Sequence, residues 1–279
     1  MTEYAQKLYQ VVKKRRKEVP VEMRDRYNDE INIINKSFHF KGTNDTCVIL
    51  VHGWTSTPYE MRILGEQLNR EGFGVDAPML SGHGINPQAM EKVVWTEWMN
   101  DVIRAYERVK KQYKKVYIGG MSMGGNLALL VASKKKDVNG VILMSTPYDM
   151  RFEKLGICIA RVTSKFTKYK RKYYPRLGKA QPSITQLISY QYYPLSSVFE
   201  AYKAIKKSLN DLEKITQPVF IVQPEHDHLV SHKSVEKFYN RISSKKKEKR
   251  YVKRASHNFM GNGEHKDVFQ DVVDFVKNN

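Results

Sequence analysis

The stretch that most constrains this chain runs from Val116 to Leu130 and reads VYIGGMSMGGNLALL. A short β-branched and aromatic run stops at Gly119 and Gly120. Ser122 follows, then Gly124 and Gly125, and then an apolar segment of helical character. A serine on so tight a strand-to-helix turn is held in a strained backbone conformation, and the residues two before and two after it must be small. Gly120 and Gly124 meet that requirement. A helix that starts near Gly124 directs the positive end of its dipole at the serine, where a developing oxyanion would be stabilised. The stretch therefore asks for a sheet to deliver the serine and a helix that packs back against that sheet.

The flanking sequence supplies such a sheet. Thr46–Val51 (TCVILV) is a continuous apolar run, as expected of a central parallel strand covered on both faces. Thr57-Pro58-Tyr59-Glu60 reads as a capping box with proline at the first helical position, ahead of a helix carrying Met61, Leu64 and Leu68. Short strands are expected at 31–40, 73–77 and 138–145, and long helical patterns at 95–113 and after Ser122. Alternation of strand and helix implies βαβ crossovers and a mostly parallel sheet.

The rhythm breaks after Thr146-Pro147 and resumes at Val219–Val222, with a helix near 234–242, a strand near 250–253 and a last helix over 266–277. Residues 149–210 are rich in Lys, Arg and Tyr and read as a helical cap inserted between two core strands, since a structureless loop of that length is improbable in a compact domain. The domain reading is thus an N-terminal extension over 1–40, a core over 41–148 and 211–279, and the cap. Packing against the core is the expected role of most apolar cap residues, among them Phe152, Leu155, Ile157 and Phe166. A cap this charged looks unsuited to an exposed apolar lid. SSKKKEKR (243–250) reads as a solvated loop.

The formal net charge is +19, but the positive charges are spread through every segment without a nucleic-acid motif, so no nucleic acid is expected. The basic amphipathic pattern over residues 1–20 suits either docking on the domain, the favoured reading, or weak association with an anionic membrane surface. Two cysteines, Cys47 and Cys158, form no metal or redox motif. With no h-region and no apolar run of membrane-spanning length, a soluble cytoplasmic protein is the expectation.

A nucleophilic serine needs a base, and the base an orienting carboxylate. His39, His52 and His83 precede Ser122, whereas His257 follows the last expected strand, where active-site groups collect in open α/β sheets. Asp227 follows the Val219–Val222 run at the same edge, with Asp149 the runner-up and Glu225 third. Met123 and Trp54 supply the two backbone N–H groups an oxyanion needs, and His52 is a structural hydrogen-bonder beside them. A metal cluster drawn from Glu225, His226, Asp227, His228 and His232 is a weaker alternative, as is a non-catalytic binding protein.

Five stretches, VILVHGWTSTPYEMRILGEQL (48–68), PMLSGHG (78–84), GGMSMGGNLAL (119–129), PVFIVQPEHDHLV (218–230) and Ser256-His257, resemble the α/β-hydrolase superfamily, and within it the small bacterial carboxylesterases related to monoacylglycerol lipases. The resemblance implies Ser122 as nucleophile, Asp227 as acid, His257 as base and Trp54 and Met123 as oxyanion donors. It implies a serine esterase acting on small-molecule esters of short-to-medium acyl chains with no metal or organic cofactor; monoacylglycerol lipase and thioesterase are the alternatives.

Overall fold

A computed structural model describes residues 34–172, 188–262 and 265–279. The expected helix over residues 1–20, the first part of the strand expected over 31–40, and the middle of the cap lie outside the described residues. Strands β1 (Phe38–Phe40), β2 (Thr46–Val51), β3 (Gly74–Ala77), β4 (Lys115–Met121), β5 (Gly140–Met144), β8 (Val219–Pro224) and β9 (Lys247–Val252) form one sheet. Its order is β1-β3-β2-β4-β5-β8-β9, with β1 antiparallel to β3 and every other pairing parallel.

The continuous apolar runs lie in the middle of this sheet because both of its faces are covered. Alternation within each strand divides the core in two. Ile49, Val51, Ile118 and Leu143 pack against α2 (Trp95–Lys110) and α3 (Met123–Lys134), together with α6 (Lys233–Arg241). Val48, Leu50, Tyr117 and Ile142 pack against α1 (Arg62–Arg70) and α7 (Lys266–Asn278) on the opposite face. A mostly parallel sheet sandwiched by helices is the fold expected from the sequence.

Two expectations need correction. Lys247–Arg250, expected in a solvated loop, belong to β9. This strand is the sheet edge, where charged side chains are tolerated and discourage pairing with other chains. Lys249 bridges to Glu236 at 2.7 Å, and Arg250 pairs with Asp267 and Asp271 of α7. The capping box is also absent: Pro58–Met61 is a 3-10 turn whose Thr57 side chain makes no capping bond, and Glu60 is buried and turned inward.

Between the neighbouring strands β5 and β8, the insertion contributes α4 (Glu153–Thr163), α5 (Leu195–Ser208) and, beyond the helices expected, an antiparallel ribbon of β6 (Tyr169–Arg171) with β7 (Tyr192–Pro194). α5 is locked to α3 through Asn126, whose amide donates to Ser208 Oγ at 2.9 Å and to the Pro147 carbonyl at 3.0 Å. No helix among the described residues is long and apolar enough to cross a membrane.

Candidate active site

Parallel β4 ends at Met121, and the chain turns into α3 through Ser122, whose φ of 52° and ψ of −124° are strained for a residue with a Cβ. The flanking glycines make the turn possible. A Cβ on Gly120 would lie 2.2 Å from the Gly124 backbone, and one on Gly124 would lie 2.3 Å from the Val51 carbonyl oxygen. The Ser122 N–H donates to the Met144 carbonyl at 2.8 Å, which ties the turn to the adjacent strand end.

Loops after two further strands meet this serine. His257 Nε2 stands 3.1 Å from Ser122 Oγ, and His257 Nδ1 stands 2.7 Å from Asp227 Oδ2. Because a carboxylate accepts only, Nδ1 carries the proton and donates, leaving Nε2 as the acceptor for the serine hydroxyl. Both His257 and Asp227 are buried, while Ser122 is partly open to solvent. Asp227 also accepts from the Leu229 N–H at 2.8 Å and the Val230 N–H at 2.9 Å through Oδ1, and from Gln223 Nε2 at 2.8 Å through Oδ2. Burial pushes its carboxyl up. The facing His257 ring and the backbone donors outweigh that and hold it below its ordinary value.

The structure thus brings Ser122, Asp227 and His257 together in one hydrogen-bonded line. The rival carboxylates lie elsewhere: Asp149 pairs with Lys237, and Glu225 is exposed. His226 and His232 are exposed as well, and among the described residues no group of three His, Cys, Asp or Glu side chains could hold a metal ion. His228 lies edge-on to His257 with ring centroids 6.2 Å apart, and burial together with His257 lowers its pKa.

The loop after β2 completes the surroundings. Gly53 packs so close to Ser122 that a Cβ on it would stand 3.5 Å from the serine Cβ. The Gly53 N–H is engaged by the buried Glu60 carboxylate at 2.8 Å. The Gly53 carbonyl accepts from His52 Nδ1–H at 2.9 Å and from the Ser56 N–H at 3.1 Å. In a trans peptide the C=O and the following N–H point in opposite directions, so holding the Gly53 carbonyl fixes the direction of the Trp54 N–H.

His52 accepts at Nε2 from the Leu80 N–H at 3.2 Å; His83 accepts from the Thr55 N–H at 3.0 Å and faces the Ser81 carbonyl through Nδ1 at 3.1 Å. Burial lowers the His52 pKa to about 4 against the opposing pull of the Gly53 carbonyl, and burial together with the neighbouring His52 takes His83 well below its ordinary value. Both rings are neutral struts of the loop, as expected for His52.

Sequence reasoning missed Glu60, His83, Gln223 and Ser145, whose Oγ–H donates to the His257 carbonyl at 2.9 Å. A signal existed for His83 in the Gly82-His83-Gly84 turn after β3, and for Gln223 at the end of β8. Glu60 carried a misleading one, because its spacing from Thr57 imitates a cap. The cap ribbon closes over the same loop. Lys172 Nζ donates to Thr55 Oγ1 at 2.7 Å, and the Tyr193 ring meets the Trp54 ring edge-on with centroids 4.9 Å apart.

A serine on a strand–helix elbow, with a carboxylate and a histidine on loops after later strands of a parallel sheet, defines the α/β-hydrolase class. Within it, residues 42–264 match the family described as serine aminopeptidase, S33, and the chain belongs to that family. Among curated proteins it is similar to a carboxylesterase of Bacillus subtilis, 27% identical over 244 residues, covering 87% of this chain and 96% of that one. It is also similar to a thermostable monoacylglycerol lipase of a Bacillus species, 28% identical over 203 residues, covering 72% of this chain and 78% of that one. A solved structure of a metagenome-derived lipolytic enzyme superposes with a TM-score of 0.79 at 21% identity, covering 88% of this chain and 99% of the other. The monoacylglycerol lipase of Paleococcus ferrophilus gives 0.72 at 18%, covering 87% and 98%.

Proposed function

We propose that the chain is a carboxylesterase, a serine hydrolase that cleaves carboxylic esters of short-to-medium acyl chains through an acyl-enzyme. The observation that carries this reading is the line from Asp227 through His257 to Ser122 Oγ, at 2.7 and 3.1 Å. In it, His257 Nε2 takes the hydroxyl proton as Ser122 Oγ attacks the ester carbonyl. Asp227 holds the ring in the required tautomer and stabilises the imidazolium. The carbonyl oxygen becomes an oxyanion, received by the N–H groups of Met123 and Trp54. Collapse breaks the ester C–O bond, and His257 gives its proton to the departing alcohol. Water then attacks the acyl-enzyme, His257 takes a proton from it, and the carboxylic acid leaves as Ser122 is reprotonated.

The Trp54 assignment is supported by the engagement of the Gly53 N–H with Glu60, which leaves Trp54 as the next donor along the loop. The ester reading, rather than the peptide substrate in the family's name, follows the ester hydrolases among the curated relatives. Residues 41–148 and 211–279 serve as the core, 149–210 as a cap over the site and 1–40 as an extension. We assign the enzyme to the cytoplasm, a reading supported by two free cysteines, one of them exposed.

Ser122→Ala tests the assignment. Hydrolysis of a p-nitrophenyl butyrate should fall by at least about a thousand-fold with the fold intact, the order seen when a catalytic serine is removed. Near-normal turnover would sink the reading. A chain-length series of p-nitrophenyl esters, run beside a monoacylglycerol and an acyl-thioester, then fixes the acyl preference.

A further inference from the structure

The cap turns an apolar stripe toward solvent. In α4, Leu155, Ile159 and Val162 are 60%, 44% and 54% exposed, and at its two ends Phe152 and Phe166 are 82% and 84% exposed. The alternating spacing of three and four residues puts all three helical positions on one face. Ala160, on another face, is the buried residue of the helix. This reverses the sequence-based expectation that Phe152, Leu155 and Phe166 pack against the core, and that the cap lacks an apolar lid.

The stripe is embedded in positive charge. Between residues 151 and 172 there are eight Lys and Arg and one acid, Glu153. That carboxylate is already engaged by Lys206 at 2.6 Å. Lys154, Arg161, Lys165 and Lys168 are exposed beside the stripe. Its near end reaches the catalytic loops. Met150 pairs with Val230 in an antiparallel bridge, and the Arg151 N–H donates to the Leu229 carbonyl at 2.8 Å. Leu229, itself 39% exposed, donates its N–H to Asp227.

An exposed apolar patch of this kind marks an interface. A narrow apolar stripe on a convex helix, flanked by Lys and Arg, has the form of a helix that lies in the headgroup region of an anionic bilayer. We propose that α4, with Phe152 and Phe166 at its ends, is a docking surface for an anionic lipid bilayer. The stripe enters the boundary between headgroups and acyl chains, and the basic residues face the lipid phosphates. The net charge of +19 draws the whole protein to such a surface. Resting on the proposed esterase activity, the placement beside Asp227 gives apolar esters held in the membrane a short path to Ser122.

The test is flotation of the full chain with phosphatidylcholine vesicles, with and without about one-third phosphatidylglycerol. Ser122→Ala protein is used so that binding is read with hydrolysis switched off. We expect about ten-fold more protein to float with the anionic vesicles, and most of that preference to vanish in high salt. Combining Leu155→Ser, Ile159→Ser and Val162→Ser should lower binding about ten-fold. In a chain with Ser122 intact, the same changes should leave turnover of a water-soluble ester within about two-fold. Phe152→Ser with Phe166→Ser, outside the helix, should lower binding without touching helix formation.

Equal flotation with both vesicle types overturns the proposal, as does wild-type binding by both sets of variants. A concentration-dependent dimer that the stripe variants abolish, with no vesicle binding, would assign the stripe to a second copy instead. Loss of vesicle binding alone leaves the esterase reading standing, and loss of esterase activity with binding intact does the reverse.

Discussion

The elbow and the cap helix are opposite solutions to holding a helix in place. From Val116 to Ser133 every residue is buried except Ser122, and Gly120 and Gly124 beside it have backbone for neighbours. In α4 only Ala160 is buried, and Leu155, Ile159 and Val162 face outward. Close packing on all sides fixes the serine in a strained conformation that the surroundings over-determine. The cap helix has no such enclosure, so its sequence is free to serve an external surface.

The contrast can be broken most sharply at Gly124. Gly124→Val should cost more than about 4 kcal/mol and leave little folded protein, because backbone of β2 occupies the space a side chain would take. Calorimetry on the purified variant checks this, and a Tm near wild type would show that the elbow yields more than its packing implies. Leu127→Ala in α3 and Leu155→Ala in α4 make the comparison like for like. The first should lower stability by roughly 2–5 kcal/mol, the second by less than about 0.5 kcal/mol. Equal urea midpoints for the two would refute the distinction.

Acidification probes the enclosed loop. His52 is fully buried and its folded pKa of about 4 lies below its ordinary 6.5, so between those values the unfolded chain binds a proton that the folded chain refuses. Stability therefore falls as pH drops from 6.5 toward 4, by roughly 3 kcal/mol from His52. His83 contributes with the same sign. Asp227, held below its ordinary 3.8, stabilises above that value and is lost only as pH falls further. Urea unfolding at pH 7 and 4.5 reads the slope, and His52→Gln should flatten it. A wild-type midpoint indifferent to pH would contradict neutral struts.

A smaller effect than that of acidification is expected at Glu60. Glu60→Ala frees the Gly53 N–H and loosens the Trp54 peptide, which should reduce kcat about ten-fold with KM within about two-fold. Glu60→Gln keeps an acceptor and should restore most of the loss. A change in KM alone would remove Glu60 from the positioning of the oxyanion loop.

Much of the site was legible because its signals are local. Gly120 and Gly124 bracket Ser122 for steric reasons that act over a few residues, Asp227 follows the apolar run of β8, and His257 follows the last strand before the final helix. The supports were not legible in the same way. Glu60 sits three residues after Thr57 as a capping glutamate would, yet its partner is the Gly53 N–H. Ser145 reaches the carbonyl of a residue 112 positions away, and nothing in its neighbourhood announces that. Lys247–Arg250 read as loop because charge normally means solvent, and an edge strand is the place where charge and strand coexist.

By itself the sequence determined the parallel sheet, the elbow and the placement of Ser122 and Asp227 at strand ends, since each follows from the sterics and periodicity of adjacent residues. Only the tertiary structure decided which way the apolar residues of α4 face. It also decided which buried groups hold the loop after β2. Periodicity shows that a helix has an apolar side, but the direction that side takes depends on what the rest of the chain places opposite it, and opposite Leu155, Ile159 and Val162 it leaves them exposed.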